Sequence, residues 1–417
     1  MTLHRIIIGD SRRMNEINNE TIDLIVTSPP YWGIKDYGVD SQIGYGQTIH
    51  EYLKDLFLVW NESFRVLKPG TKLCINIGDQ FLRSIVYGRY KIAPLHAEFI
   101  SQCEKIGFDY MGSIIWQKKT TMNTTGGANV MGSYPYPPNG LIEIDYEFIL
   151  IFKKPGKRND IKNEVKELSK LSKEEWKEYF SGHWTFAGER QIDHQAMFPE
   201  ELPKRLIKMF SFVGDTILDP FLGSGTTMNV ARKLRRNSVG YEINPSFLET
   251  IKKKVGYYTT DILEETSFEI IRTQESIDIR TEVDYTPSIK DARPIIDPNK
   301  FRFEGERLYK VIEILSPDSI KLDTGLIIKF QGINVIEHMK DKTIEYLNKY
   351  VKDKEVIVKF DTIPKSSNGD LQAYVYLKNK IFINKELIKM GFANIAESYF
   401  SKKKEFLNYK LESATNA

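Results

Sequence analysis

Short β-branched runs closed by turn signals alternate with helix-patterned stretches through the first 115 residues, and this alternation constrains the fold more than any other feature. "RIIIG" (residues 5–9), "DLIVT" (23–27), "KLCINIG" (72–78) and "SIIWQK" (113–118) read as strands. Between the second and third lies "IHEYLKDLFLVWNESFRVLKPG", apolar at helical spacing, with a stop signal at Pro69-Gly70. "DYEFILIFKK" (145–154) returns to strand, and the α/β pattern resumes at "DTILDPFLGSGTTMNVARKLRRNSVGYEIN" (215–244). Strands alternating with helices imply a mostly parallel sheet covered on both faces.

At 417 residues the chain is too long for a single core, and its pattern divides it. Residues 119–144 are rich in Gly, Pro and Tyr and have no period, which marks a functional loop. Residues 159–180 read as a charged, solvated surface helix. Residues 269–300 hold several prolines without helical spacing and read as a linker. From 301 a small unit begins, with strand runs "YKVIEIL", "SIKLD", "LIIKFQGI", "VIVKF" and "AYVYL" and two helical pieces. Two cysteines exclude a disulfide scaffold or a cysteine-rich metal site and fit a reducing cytosol. A formal charge of +3 permits a polyanionic partner without demanding one. The N-terminus lacks a signal-peptide pattern, and no segment approaches the roughly 20 apolar residues that span a bilayer, so a soluble cytoplasmic protein is expected.

Two motifs carry chemistry. In "ILDPFLGSGTTMNVARKL" a strand ends at Asp219, a glycine turn follows, and a helix starts near Thr226 and Thr227. Gly223 and Gly225 let the backbone come close to a nucleotide-type ligand at the carboxyl end of a parallel strand. The absence of a lysine after the last glycine excludes a P-loop. About 20 residues on, Glu242 closes the next strand, where a carboxylate accepts from both ribose hydroxyls of an adenosine group. An ordinary strand–turn–helix with a surface glutamate is the plainer reading of the glycines alone; the Asp-Pro-Phe lead-in and the placed Glu242 weigh against it.

The second motif is Ser28-Pro29-Pro30-Tyr31, again directly after a strand. The prolines fix φ and remove two N–H donors, leaving carbonyls to accept. Ser28 Oγ and a nearby carbonyl can then accept both hydrogens of an exocyclic amine and localise its lone pair for attack on an electrophilic methyl. Tyr31 offers a stacking face for a planar base, and Trp32 is expected to wall the pocket. Such chemistry requires the base to leave the helical stack.

Together "TSPPYW", "LDPFLGSGTT" and "VGYEIN" resemble the S-adenosylmethionine-dependent DNA amino-methyltransferases. Catalytic motif first, recognition region next and cofactor motif last matches their permuted beta group. "IIIGDS" resembles the strand whose Asp10 meets the cofactor adenine, and "HQAMFPEELPKRLI", with Phe198, the segment at the cofactor's methionine end. The resemblance spans residues 4–260. It implies a Rossmann-like methyltransferase sheet over 1–268 with a target-recognition region at about 119–184. It also implies S-adenosyl-L-methionine bound by Asp10, Phe198, Asp219, Phe221, Gly223, Ser224, Gly225, Thr226, Thr227, Glu242 and Asn244, and no metal. Double-stranded DNA is the implied partner; a cognate restriction endonuclease and a homodimer stay open. Serine before Pro-Pro-Tyr goes in that family with cytosine N4 and Asp or Asn with adenine N6, so Ser28 tilts the target to cytosine.

Over about residues 301–409, the unit at 301–417 resembles a staphylococcal-nuclease-like, OB-type β-barrel. Asp318 and Glu337 match a calcium-binding aspartate and the general-base glutamate of its active members. Lys329 and Asp370 stand where phosphate-clamping arginines are expected, and Asn334 replaces a metal-binding aspartate. Losing a metal ligand and reversing a clamp charge imply a barrel retained for binding or assembly rather than cleavage.

Overall fold

The computed structural model describes the chain except for residues 1, 34–37, 40, 83–86, 88–90, 119–137, 139–141, 143, 189–197, 259–265, 274–283, 293–307, 366–370, 399, 401, 404 and 408–417. Most of the loop at 119–144 and Asp370 therefore lie outside the described residues. The chain forms two compact units, one drawn from residues 1–80, 93–125 and 130–293, the other from 81–92, 126–129 and 294–417.

The first unit holds a nine-stranded sheet. Its strands are β1 (Thr2–Ile8), β2 (Ile22–Thr27), β3 (Leu67–Ile77), β6 (Asp109–Lys118), β7 (Tyr146–Lys153), β8 (His183–Phe186), β9 (Thr216–Asp219), β10 (Asn237–Glu242) and β11 (Thr266–Arg272). β4 (Gln80–Leu82) and β5 (Lys91–Ala93) form a separate two-stranded sheet. The order across the large sheet is β11-β1-β10-β9-β2-β3-β7-β6-β8; β7 runs antiparallel to both its neighbours and the other pairings are parallel. Among the described residues, seven helices accompany it: α1 (Ile49–Val66), α2 (Leu95–Ile106), α3 (Asn163–Leu168), α4 (Lys173–Tyr179), α5 (Glu201–Phe210), α6 (Thr226–Lys233) and α7 (Leu248–Val255), which follows β10.

The central strand β2 is buried at every residue, as its unbroken apolar run requires of a strand covered on both faces. α1 opens with a capping box: Glu51 N donates to Thr48 Oγ1 at 3.2 Å, and Thr48 N to Glu51 Oε2 at 2.7 Å. Its stripe of Tyr52, Leu53, Leu56, Val59 and Trp60 is buried. The connection from β2 through α1 builds the sheet to one side, and that from β9 through α6 builds it to the other. The β2–β9 junction is therefore the topological switch point, the place where α/β sheets open a crevice for ligands.

Four expectations need correction. The helix does not run to Pro69-Gly70: α1 ends at Val66 and β3 begins at once, carrying both residues within the strand. Tertiary pairing overrides the stop signal, because Gly70 N donates to Lys154 O at 2.9 Å and a Cβ on Gly70 would lie 2.5 Å from Arg158 N. The recognition range 119–184 includes β7, a sheet strand between β3 and β6, so those residues are core. Nor is 269–300 a linker throughout. β11 extends to Arg272, and 284–292 straps onto α1 and α2: Ile49 N donates to Ala292 O at 2.9 Å, Ser288 N to Glu98 Oε1 at 2.9 Å, and Tyr285 stacks on Phe57. The charged stretch at 159–180 is two short helices, α3 and α4, rather than one, with a second capping box at Ser172 and Glu175.

The second unit is a closed five-stranded barrel. β12 (Tyr309–Ser316), β13 (Ser319–Leu322), β14 (Ile327–Phe330), β16 (Glu355–Lys365) and β17 (Leu371–Leu377) enclose Val311, Ile320, Leu322, Ile328, Phe330, Val356 and Val375. β15 (Ile333–Val335) pairs with β18 (Ala393–Ile395), and α8 (Lys340–Tyr350) and α9 (Ile383–Lys389) complete it. The expected architecture, an α/β sheet plus a small β-barrel, is the one observed.

Candidate active site

The ends of β2 and β9 place two motifs, nearly 200 residues apart in the chain, on one edge of the sheet. Thr27, the last residue of β2, donates its hydroxyl to Asp219 Oδ1 at 2.7 Å, and Asp219 is the last residue of β9. Asp219 is completed by Thr227 Oγ1 at 2.7 Å and Phe221 N at 3.0 Å. Burial pushes its carboxyl up to about 6 against those three donors. Asp219 and Thr227 thus sit beneath the site as its brace, not on its wall.

A cavity opens at this edge. Ser28, Pro29, Pro30 and Tyr31 line it from β2, and Phe221, Gly223, Ser224, Thr226 and Glu242 line it from β9, α6 and β10. Asp10, Phe198 and Phe247 are also on its wall. Gly225 N-caps α6 at φ +91°, and its missing Cβ leaves room for Val255 and Ile251 of α7. Asn244 caps the turn at Pro245–Phe247, its Oδ1 accepting from Ser246 N at 2.9 Å. Neither Gly225 nor Asn244 lines the cavity.

Glu242 is oriented from both sides. Its Oε2 accepts from Gly223 N at 3.0 Å and its Oε1 from Asn244 N at 2.9 Å. Burial, with a further push from Asp219, raises its carboxyl to about 7 despite these donors. A carboxylate has about four lone-pair positions, so it can accept ligand hydroxyls beside its backbone donors. Gly223 stands at φ +54°, and a Cβ there would meet only Phe221 O, at 3.9 Å. The loop therefore presents bare backbone beside an acceptor pair, a donor set that fits the ribose and chain of an adenosyl cofactor.

On the opposite wall, Ser28 Oγ has no hydrogen-bond partner among the described residues. Pro30 O accepts from Tyr52 Oη at 2.9 Å, and Pro29 lines the cavity beside Ser28. Trp32 corrects its expectation: it is fully buried, its indole N–H donates to Gln47 O at 2.9 Å, and it lies under the turn rather than on the cavity wall. Gln80 Nε2 to Trp32 O at 2.5 Å and Gly33 N to Gly44 O at 2.9 Å pin the same turn.

Sequence reasoning missed two groups. Asp10 is clasped by Arg12, whose Nε lies 2.9 Å and Nη2 2.6 Å from Asp10 Oδ2, and whose Nη1 reaches Asp55 Oδ2 at 2.8 Å. Burial opposes the guanidinium charge, but Asp10 and Asp55 hold its pKa above the ordinary value. Gln47 Nε2 joins Asp55 at 2.7 Å, tying the Asp10 wall to the turn that carries Gln42 and Ile43 to the cavity. The other group is Glu147 on β7, buried at 6% exposure, which accepts from the Tyr31 hydroxyl, from Lys118 and, at 2.8 Å, from Asn76 Nδ2. A carboxylate inside the apolar run "YEFILIFK" was the available signal.

In the second unit, Asp318 is engaged by Ser316 Oγ at 2.6 Å and Lys329 Nζ at 3.4 Å. The Glu337 side chain is 85% exposed and paired with Lys340 at 2.8 Å. Among the described residues no group of three or more His, Cys, Asp or Glu is arranged to hold a metal ion, and no helix is long and apolar enough to cross a membrane.

Comparison with known proteins agrees with this geometry. Residues 323–416 match the staphylococcal nuclease homologue family. A type II methyltransferase of Methanocaldococcus jannaschii, M.MjaI, is 38% identical over 284 residues, covering 61% of this chain and 92% of that protein. M.SmaI of Serratia marcescens is 29% identical, covering 60% and 90% respectively. A DNA modification methylase of Thermus thermophilus, solved in complex with S-adenosyl-L-methionine, superposes with a TM-score of 0.53 at 34% identity, covering 65% of this chain and 99% of that one. The DNA methylase family model matches residues 22–253, more than half of the chain, and with both motifs assembled at one sheet edge the chain belongs to the DNA methylase family.

Proposed function

We propose that the protein transfers a methyl group from S-adenosyl-L-methionine to the exocyclic N4 amine of a cytosine flipped out of duplex DNA, within a prokaryotic restriction-modification or defence system. The observation that carries this reading is a cavity lined both by Ser28–Pro29–Pro30–Tyr31 and by the Gly223 loop with Glu242. Bound there, the cofactor supplies an electrophilic sulfonium methyl. Glu242 accepts from its ribose hydroxyls, the Asp10 wall receives the adenine, Phe198 and Phe221 flank it, and Ser224 and Thr226 offer hydroxyls.

The target amine is held by acceptors alone. Ser28 Oγ and Pro29 O take its two hydrogens, draw the nitrogen toward tetrahedral geometry and aim its lone pair along the cavity. Tyr31 gives the flipped base a face. The test is nucleoside mass spectrometry of unmethylated plasmid DNA incubated with protein and cofactor. N4-methylcytosine is expected; N6-methyladenine would move the assignment to the other amine, and no product would refute the reading.

The barrel is read as a binding or assembly module rather than a nuclease. Supporting this, Asp318 is occupied by Lys329, Glu337 faces solvent with Lys340, and Asn334 cannot supply a charged metal ligand.

A further inference from the structure

Three strands converge on one buried carboxylate at the reactive edge of the sheet. Glu147 lies at the start of β7, Asn76 near the end of β3, and Lys118 at the end of β6. β7 runs antiparallel to both neighbours, so all three positions fall on the edge that also carries Ser28. Asn76 Nδ2 donates to Glu147 Oε2 at 2.8 Å, while Lys118 Nζ and the Tyr31 hydroxyl both reach Oε1.

A strand buried on both faces is served by apolar residues, and a carboxylate there costs free energy unless it is fully paired. This one is paired by a lysine and an amide, and its remaining contact is with the tyrosine of the methylation motif. A phenol hydroxyl bonded to a fixed carboxylate anchors the far end of the ring, and so sets the direction in which the ring axis points, before any base arrives.

We propose that Glu147, held by Asn76 and Lys118, is a positioning residue that presets the Tyr31 ring as the face against which the target base packs. This rests on the base-methylation reading above, and it adds a residue that touches neither cofactor nor base.

The experiment compares Glu147→Gln, Tyr31→Phe and the double variant in the full chain. Methyl transfer to unmethylated plasmid DNA is followed in steady state, together with the cofactor Kd and Tm. In glutamine one oxygen becomes a donor, so the amide cannot accept from both Asn76 and Tyr31, whereas Tyr31→Phe leaves Glu147 with Lys118 and Asn76. Each single variant is expected to lose on the order of 10- to 100-fold in kcat with the cofactor Kd within about twofold, as for a misplaced reacting group. The double variant should fall no further than the weaker single one, since both remove the same contact.

Losses that multiply in the double variant would overturn the inference, as would wild-type kcat in Tyr31→Phe or a Glu147→Gln loss that follows cofactor affinity. If Glu147→Gln fails to fold, Tyr31→Phe alone decides. Absence of methyl transfer in the wild-type chain would instead defeat the underlying reading, a result distinct from all of these.

Discussion

Glu242 gives the sharpest quantitative test of the cofactor site. Its Oε2 accepts from Gly223 N and its Oε1 from Asn244 N, and the residue lines the cavity, where each oxygen can also receive a ribose hydroxyl. In Glu242→Gln one oxygen becomes an NH₂, so whichever way the amide turns, one backbone donor and one ribose hydroxyl lose their acceptor. A hydrogen bond to a charged group contributes about 1.5–3 kcal/mol. The expected loss is therefore about 10- to 150-fold in the Kd for S-adenosyl-L-methionine at about pH 8.

The wild-type chain should also show a pH dependence that the variant lacks. Burial holds the Glu242 carboxyl at about 7, so it is largely protonated a unit below that value and largely ionised a unit above it. Two ribose hydroxyls donate best to the ionised form, so binding on the acid side must first expel a proton. With that pKa, affinity should tighten about tenfold from roughly pH 6 to pH 8. Isothermal titration calorimetry across this range, in two buffers of different ionisation enthalpy, measures both the slope and the released proton. A Kd change below about threefold in Glu242→Gln, or the same pH slope in both proteins, would refute the ribose assignment.

Ser28→Ala should cut methyl transfer on the order of 100-fold or more while leaving the cofactor Kd near its wild-type value; radiolabelled methyl incorporation checks this, and full activity would remove Ser28 from the mechanism. Gly225→Ala forces a side chain into φ +91° and sets a Cβ 3.1 Å from Val255 Cγ1, so a loss of about 1–3 kcal/mol is expected, read as a lowered Tm by calorimetry. Supercoiled plasmid should stay uncut by the chain in calcium or magnesium; linearisation would restore a nuclease role to the barrel.

Legibility in the sequence follows the range of the interactions. β2 and the glycine turn are readable because an unbroken apolar run and a Gly-x-Gly between strand and helix are local signals. The start of β3 is not, because Pro69-Gly70 locally reads as a stop, and only its fit against residues 154–158 makes it strand. Asp10 lies on the cavity wall, but its clasp by Arg12 depends on Asp55, far along the chain on α1. Trp32 escapes its expected place because adjacency to Tyr31 says nothing about which of two neighbours a tight turn buries.

The carboxylates lining the cavity bear on how the proton leaves. Among the described residues they are Asp10, committed to Arg12, and Glu242, committed to the loop on the cofactor side. The wall around Ser28 offers a hydroxyl and a carbonyl, neither of which is a base near neutral pH. On the reading proposed above, an amine held by these groups is oriented without being deprotonated by them, which predicts that the methyl arrives first and that the nitrogen sheds its proton afterward, as a cationic ammonium and a strong acid. A neutral serine suffices for that order of events because its task is to fix a lone-pair direction. The chemistry then depends chiefly on preset geometry: the parallel pairing of β2 with β9 sets the register of the two walls, and the Thr27–Asp219 bond at 2.7 Å ties their ends together at the site.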